Sequence, residues 1–153
     1  TAIQVGHLVG AGEVDKVYTK CLKSVKIAFI FAFLTTSIVC VFRKPIMSIF
    51  TTNPDILKAS LKIFPLMIIL EMGRVFNIVI INSLHAAGDI KFPMFMSISF
   101  VFLIAVLFSY LFGISLGWGL VGIWIANAMD EWIRGLAMYF RWKSKKWQNK
   151  SFV

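Results

Sequence analysis

Charge is scarce in this chain: 15% of its 153 residues are charged, and only seven of them are acidic. A soluble domain of this length carries nearer a quarter of charged residues to clothe one core, so an ordinary soluble domain is excluded. Cysteine is nearly absent too. Cys21 and Cys40 share no motif with each other or with His7 and His85, which leaves neither a disulfide framework nor a metal site. The sequence has no nucleophile–base pair, no phosphate-cradling glycine loop and no metal-ligand spacing, so nothing in it reads as an enzyme. Hydrophobic residues are plentiful, at 59%, with 15% aromatic and a mean hydropathy of +0.82. That aromatic content excludes a disordered segment. An all-α membrane protein remains.

The net charge of +9 does not point to nucleic acid, because the lysines and arginines fall between apolar runs rather than along one polar face. The first uncharged run predicts a transmembrane helix over about 25–42, closed by Arg43-Lys44-Pro45, where two charges and a proline end the run. Residues 46–52 read as a short interfacial piece. Asn53-Pro54-Asp55 supplies an N-cap, a first-turn proline and an acid on the positive helix end, so a second helix is expected over about 54–85. Pro65 lies inside it and predicts a kink between Ile63 and Leu66.

From Phe92 to Met129 there is no charge, and one helix of that length would reach roughly 57 Å, nearly twice the ~30 Å hydrocarbon core. Gly113-Ile-Ser-Leu-Gly-Trp-Gly119 supplies the expected break. Two helices follow, about 93–112 and 120–142, with a polar tail over 143–153. Residues 1–12, apolar and closed by Gly10-Ala11-Gly12, read as the end of a preceding transmembrane helix whose body lies outside this sequence, and 13–24 as a loop. The expectation is four transmembrane helices plus the end of a fifth: a fragment of a larger bundle.

Four crossings place Lys16, Lys20, Lys23, Lys26, Lys91, Arg141, Lys143, Lys145, Lys146 and Lys150 on one side, against Arg43, Lys44, Lys58 and Lys62 on the other. This bias makes the richer side, with the C-terminus, cytoplasmic. Arg74 and Arg134 fall inside the spans. Glu71, Arg74 and Asn77 share one face of the second helix, near mid-membrane, where an ionised side chain costs about 2.5–3.5 kcal/mol. The pair reads either as a self-neutralising lock between helices or as a carboxylate that binds a proton, a cation or a cationic substrate, tuned by Arg74. Asp130, Glu131 and Arg134 form a second buried polar cluster on the last helix, which Asn127 extends by one turn.

Several segments form a combination more specific than any one of them. These are Val5-Gly-His-Leu-Val-Gly-Ala-Gly12, Leu84-His-Ala-Ala-Gly-Asp89 followed by Phe92-Pro93, Gly119-Leu-Val-Gly-Ile-Trp-Ile-Ala126, Asp130-Glu-Trp-Ile-Arg-Gly135 and Arg141-Trp-Lys143. Together they resemble the C-terminal lobe of a multidrug and toxic compound extrusion (MATE) transporter. The resemblance implies a twelve-helix secondary antiporter of two lobes, in a bacterial-type plasma membrane. It would export lipophilic, often cationic drug-like compounds by alternating access, against an influx of sodium ions or protons and with no other cofactor.

The implied partners are those small molecules, the lipid bilayer and a missing N-terminal lobe. Acidic groups around the middle of the tenth helix are implicated in coupling in the family, and Glu71 is the only carboxylate in that region here. His85 and Ala86 stand where many relatives carry arginine and glycine, and Arg74 lies near the level of an aspartate in some. The alternative readings are a flippase of lipid-linked oligosaccharide from the same superfamily and a non-transporting truncated membrane module.

Overall fold

A computed structural model describes residues 1–148. The elements are α1 (Ala2–Gly10), α2 (Val14–Val41), α3 (Arg43–Phe50), α4 (Pro54–Ala86), α5 (Lys91–Ser115) and α6 (Gly119–Lys143), with no strand among the described residues.

Local chemistry sets the start of α4. The Asn53 side-chain oxygen accepts from the backbone N–H of Asp55 at 2.9 Å and of Ile56 at 3.4 Å, so two first-turn donors are satisfied by one cap. The helix then continues through Pro65, which has no N–H to give to the Leu61 carbonyl one turn before it. Arg43 donates a guanidinium N–H to that same carbonyl at 3.4 Å. The cation that opens α3 therefore covers the backbone defect in α4.

Two expectations need correction. The loop expected over 13–24 is helical from Val14 onward, because Val17, Cys21 and Val25 recur at helical spacing and bury against α1 and α4 while the lysines between them stay on the outer face. Charge interrupts the apolar run there without interrupting the helix. The tail expected to be polar carries a buried side chain: Trp147 stacks on Trp142 with ring centroids 4.6 Å apart and donates its indole N–H to the Trp142 carbonyl at 3.0 Å. The rest of that tail, from residue 149, lies outside the described residues.

Within α5, two π-helical stretches, Val101–Val106 and Leu111–Ser115, flank a single α-helical turn. The break before α6 falls at residues 116–118, with Gly117 and Gly119 at positive φ (69° and 57°). Gly113, expected in that break, instead faces Ile123 of α6. Close by, a Cβ on Gly122 would sit 2.6 Å from the carbonyl carbon and oxygen of Phe112. The obstruction is backbone and cannot rotate away, so Gly122→Val is expected to cost about 1–3 kcal/mol, read as a lowered unfolding midpoint of the protein in detergent micelles.

The helices alternate in direction. Arg43, just past the end of α2, lies beside Leu61 near the start of α4, and Phe29 of α2 stacks on Phe76 of α4, so α2 and α4 run antiparallel. α4 and α6 share the most extensive interface and run parallel, with Ile69 meeting Trp132 and Phe76 meeting Tyr139. The core gathers at one end, where Val5, Val17, Cys21, Ile80, Leu84, Met138 and Trp142 are buried together. Elsewhere large apolar side chains face outward, as at Phe31 and Phe102, each 66% exposed.

α2, α4 and α5 are long and apolar enough to cross a bilayer. The fourth expected span coincides with α6, which at 25 residues and roughly 37 Å is long enough. It does not meet the same standard of composition, since Asp130, Glu131 and Arg134 occupy its middle.

Candidate functional site

The two charged clusters, read separately in the sequence, are one network. Small residues let α4 and α6 approach: a Cβ on Gly73 would lie 2.7 Å from the Trp132 ring, and one on Gly135 would lie 2.6 Å from the Phe76 ring. Trp132 fixes the register by donating its indole N–H to the Ile69 carbonyl at 2.9 Å. Within one helical turn of this contact, the ionisable groups meet.

Glu71 pairs with Arg74 along α4, and Asp130 pairs with Arg134 along α6. Glu131 joins the two pairs. Its Oε2 accepts from Asn77 Nδ2 at 2.9 Å, while its Oε1 stands 3.7 Å from Arg74 Nε and 3.6 Å from Arg134 Nη2. Six of the seven residues singled out in the sequence therefore converge. Asn127 does not: it is exposed and donates to the Ile123 carbonyl of its own helix at 2.9 Å.

The network holds three carboxylates and two guanidinium groups, so fully ionised it carries one surplus negative charge. Asp130 is 3% exposed and Asn77 is 3% exposed. Asp130 Oδ1 and Asn77 Oδ1 are buried acceptors with no donor among the described residues, and Arg134 Nε is a buried donor with no acceptor. Such orphan groups are costly away from water. A proton or a monovalent cation would neutralise the surplus and satisfy an acceptor at the same time. On the α2 side the network is bordered by the rings of Phe29, Phe76 and Trp132, whose centroids are 6.1–6.3 Å apart.

A second buried ion pair was not anticipated. Asp89, fully buried in the turn after α4, accepts from Arg141 Nε of α6 at 2.6 Å, and the Arg141 guanidinium lies 4.7 Å over the Phe92 ring. Both residues stand at helix ends on the same side of the bundle, and that shared level is the signal from which the pair could have been read.

A family model for MatE matches residues 1–111, well over half of the chain. This chain belongs to the MatE family. The MatE match includes Glu71, Arg74 and Asn77 and stops short of α6. An uncharacterized transporter of Bacillus subtilis (strain 168), YisQ, is 44% identical over 153 residues, which is 100% of this chain and 34% of the relative. The chain thus spans about a third of the length of that curated relative, and the similarity includes Asp130, Glu131 and Arg134. No solved structure matches.

Proposed function

We propose that this chain is part of a secondary antiporter that exports lipophilic, often cationic compounds by alternating access, driven by an influx of sodium ions or protons. The observation that carries the reading is the surplus carboxylate of the α4–α6 network. Membership of the MatE family and similarity to a transporter support the transport class, and buried ionisable groups inside a membrane bundle mark ion pathways in general. Binding of the coupling ion neutralises the network and satisfies one of its orphan acceptors. Loss of the ion restores the surplus, so the two occupancies favour different arrangements of the helices.

In this reading all four long helices cross the membrane and the side rich in lysine is cytoplasmic, which places the C-terminus inside the cell. The remaining lobe supplies the other wall of the substrate cavity. Glu71→Gln in the complete transporter is expected to lower dye efflux at least about tenfold and to flatten its dependence on sodium and pH, as loss of a group that exchanges the ion requires. Unchanged efflux with unchanged cation dependence would make Glu71 a structural partner of Arg74 alone.

A further inference from the structure

The outer face of α2 has a basic end that continues into an apolar track. Lys16, Lys20 and Lys23 follow one another at intervals of four and three residues, and Ile27, Ile30 and Leu34 continue the same face. Val17, Cys21 and Val25 occupy the opposite face and are buried, so the lysine face cannot turn inward. Between this face and α1 lies an open cavity of about 480 Å³, lined by Leu8, Asp15, Lys16, Thr19, Lys20 and Lys23.

The charges in the cavity are unevenly engaged. Lys16 pairs with Glu13 at 3.0 Å, and Asp15 is met by Lys145 at 3.5 Å. Lys20 and Lys23 have no carboxylate within ion-pair distance among the described residues. Directly along the helix from them, Ile27, Ile30 and Leu34 are 48–60% exposed. An anion alone would need only the lysines. The union of two unpaired ammonium groups with an exposed apolar track suits a ligand that has a phosphate at one end and hydrocarbon at the other.

We infer that this face of α2 is a binding site for an anionic phospholipid, with its phosphate on Lys20 and Lys23 and its acyl chains along Ile27, Ile30 and Leu34. The lysines stand at the edge of the apolar run, at the depth of the headgroup layer, and Leu8 closes the cavity against the glycerol region. The site is separate from the α4–α6 network and does not depend on the transport reading.

The test is native mass spectrometry of the complete transporter in detergent micelles, titrated with phosphatidylglycerol, phosphatidylcholine or free glycerol 3-phosphate. Phosphatidylglycerol is expected to bind in preference to the other two. Lys20→Gln with Lys23→Gln should weaken it by about tenfold or more, given roughly fivefold for each lysine near an anionic headgroup. Lys20→Arg with Lys23→Arg should keep it, and Lys58→Gln with Lys62→Gln, which removes equal charge from α4, should leave it unchanged. Equal binding of phosphatidylcholine, equal weakening by the α4 pair, or equally tight binding of free glycerol 3-phosphate would each overturn the assignment.

Discussion

Arg134→Gln is expected to destabilise the protein by about 3–5 kcal/mol, whereas Glu131→Gln, one turn away in the same network, is expected to cost less than about 1 kcal/mol. The asymmetry follows from the charge count. Removing Arg134 leaves Asp130, which is 3% exposed, without its cation, and leaves Glu131 with only Arg74 at 3.7 Å. The surplus rises from one negative charge to two, with no guanidinium of α6 left in the network to meet it. Removing the charge of Glu131 does the reverse: each arginine keeps the carboxylate of its own helix, and the network becomes neutral. The glutamine carbonyl oxygen can still accept from Asn77. Denaturant unfolding of the two variants in micelles checks this. Equal destabilisation would mean that the surplus charge does not set the cost of these substitutions.

Arg141→Ala is expected to cost about 1.5–3 kcal/mol at the other end of the bundle, the size of a lost hydrogen bond to a charged group. Asp89 is fully buried and its carboxylate faces Arg141 at 2.6 Å, so the truncation removes a charged hydrogen bond from a buried anion. It also removes the guanidinium from the face of Phe92 and loosens the end of α6 from the turn that follows α4. Because Trp142 is the next residue and belongs to the buried core, the loss is expected to spread to the Trp142–Trp147 stack. Tryptophan fluorescence followed through unfolding should show this end opening at lower denaturant than the parent. Asp89→Asn combined with Arg141→Ala should recover part of the loss, with a coupling of about 0.5–3 kcal/mol between the two positions.

Features set by neighbouring residues were legible in the sequence, and those set by which helices touch were not. The Asn53-Pro54-Asp55 start is written in three adjacent side chains, and the observed cap uses that asparagine. The alternation of long apolar segments and breaks gave the order of the helices. The helix over residues 14–24 was missed because lysines were read as ending a span. On an amphipathic stretch they mark only its outer face, and the spacing of Val17, Cys21 and Val25 carried the better signal.

The two π-helical stretches of α5 have no local signature; the second, Leu111–Ser115, contains the Phe112 backbone that Gly122 of α6 approaches. Most of the candidate site was found as residues and missed as an arrangement. Periodicity placed Glu71, Arg74 and Asn77 on one face of α4, and Asp130 and Arg134 on one face of α6. The register that brings Asn77 to Glu131 depends on Gly73 admitting Trp132, which no single-helix pattern reports. Asn127 shows the converse limit, lying on the expected side of α6 yet bonded to its own backbone.

The surplus charge is a property of the whole network if Glu131, on α6, governs ion dependence as strongly as Glu71, on α4. Dye efflux by the complete transporter carrying Glu131→Gln, titrated against sodium concentration and against pH, separates the possibilities. A neutralised network predicts a response that is flat in both titrations, as for Glu71→Gln. If Glu131→Gln instead keeps the half-maximal cation concentration of the parent while Glu71→Gln loses it, the surplus resides on α4 alone and the joined network is not the coupling element.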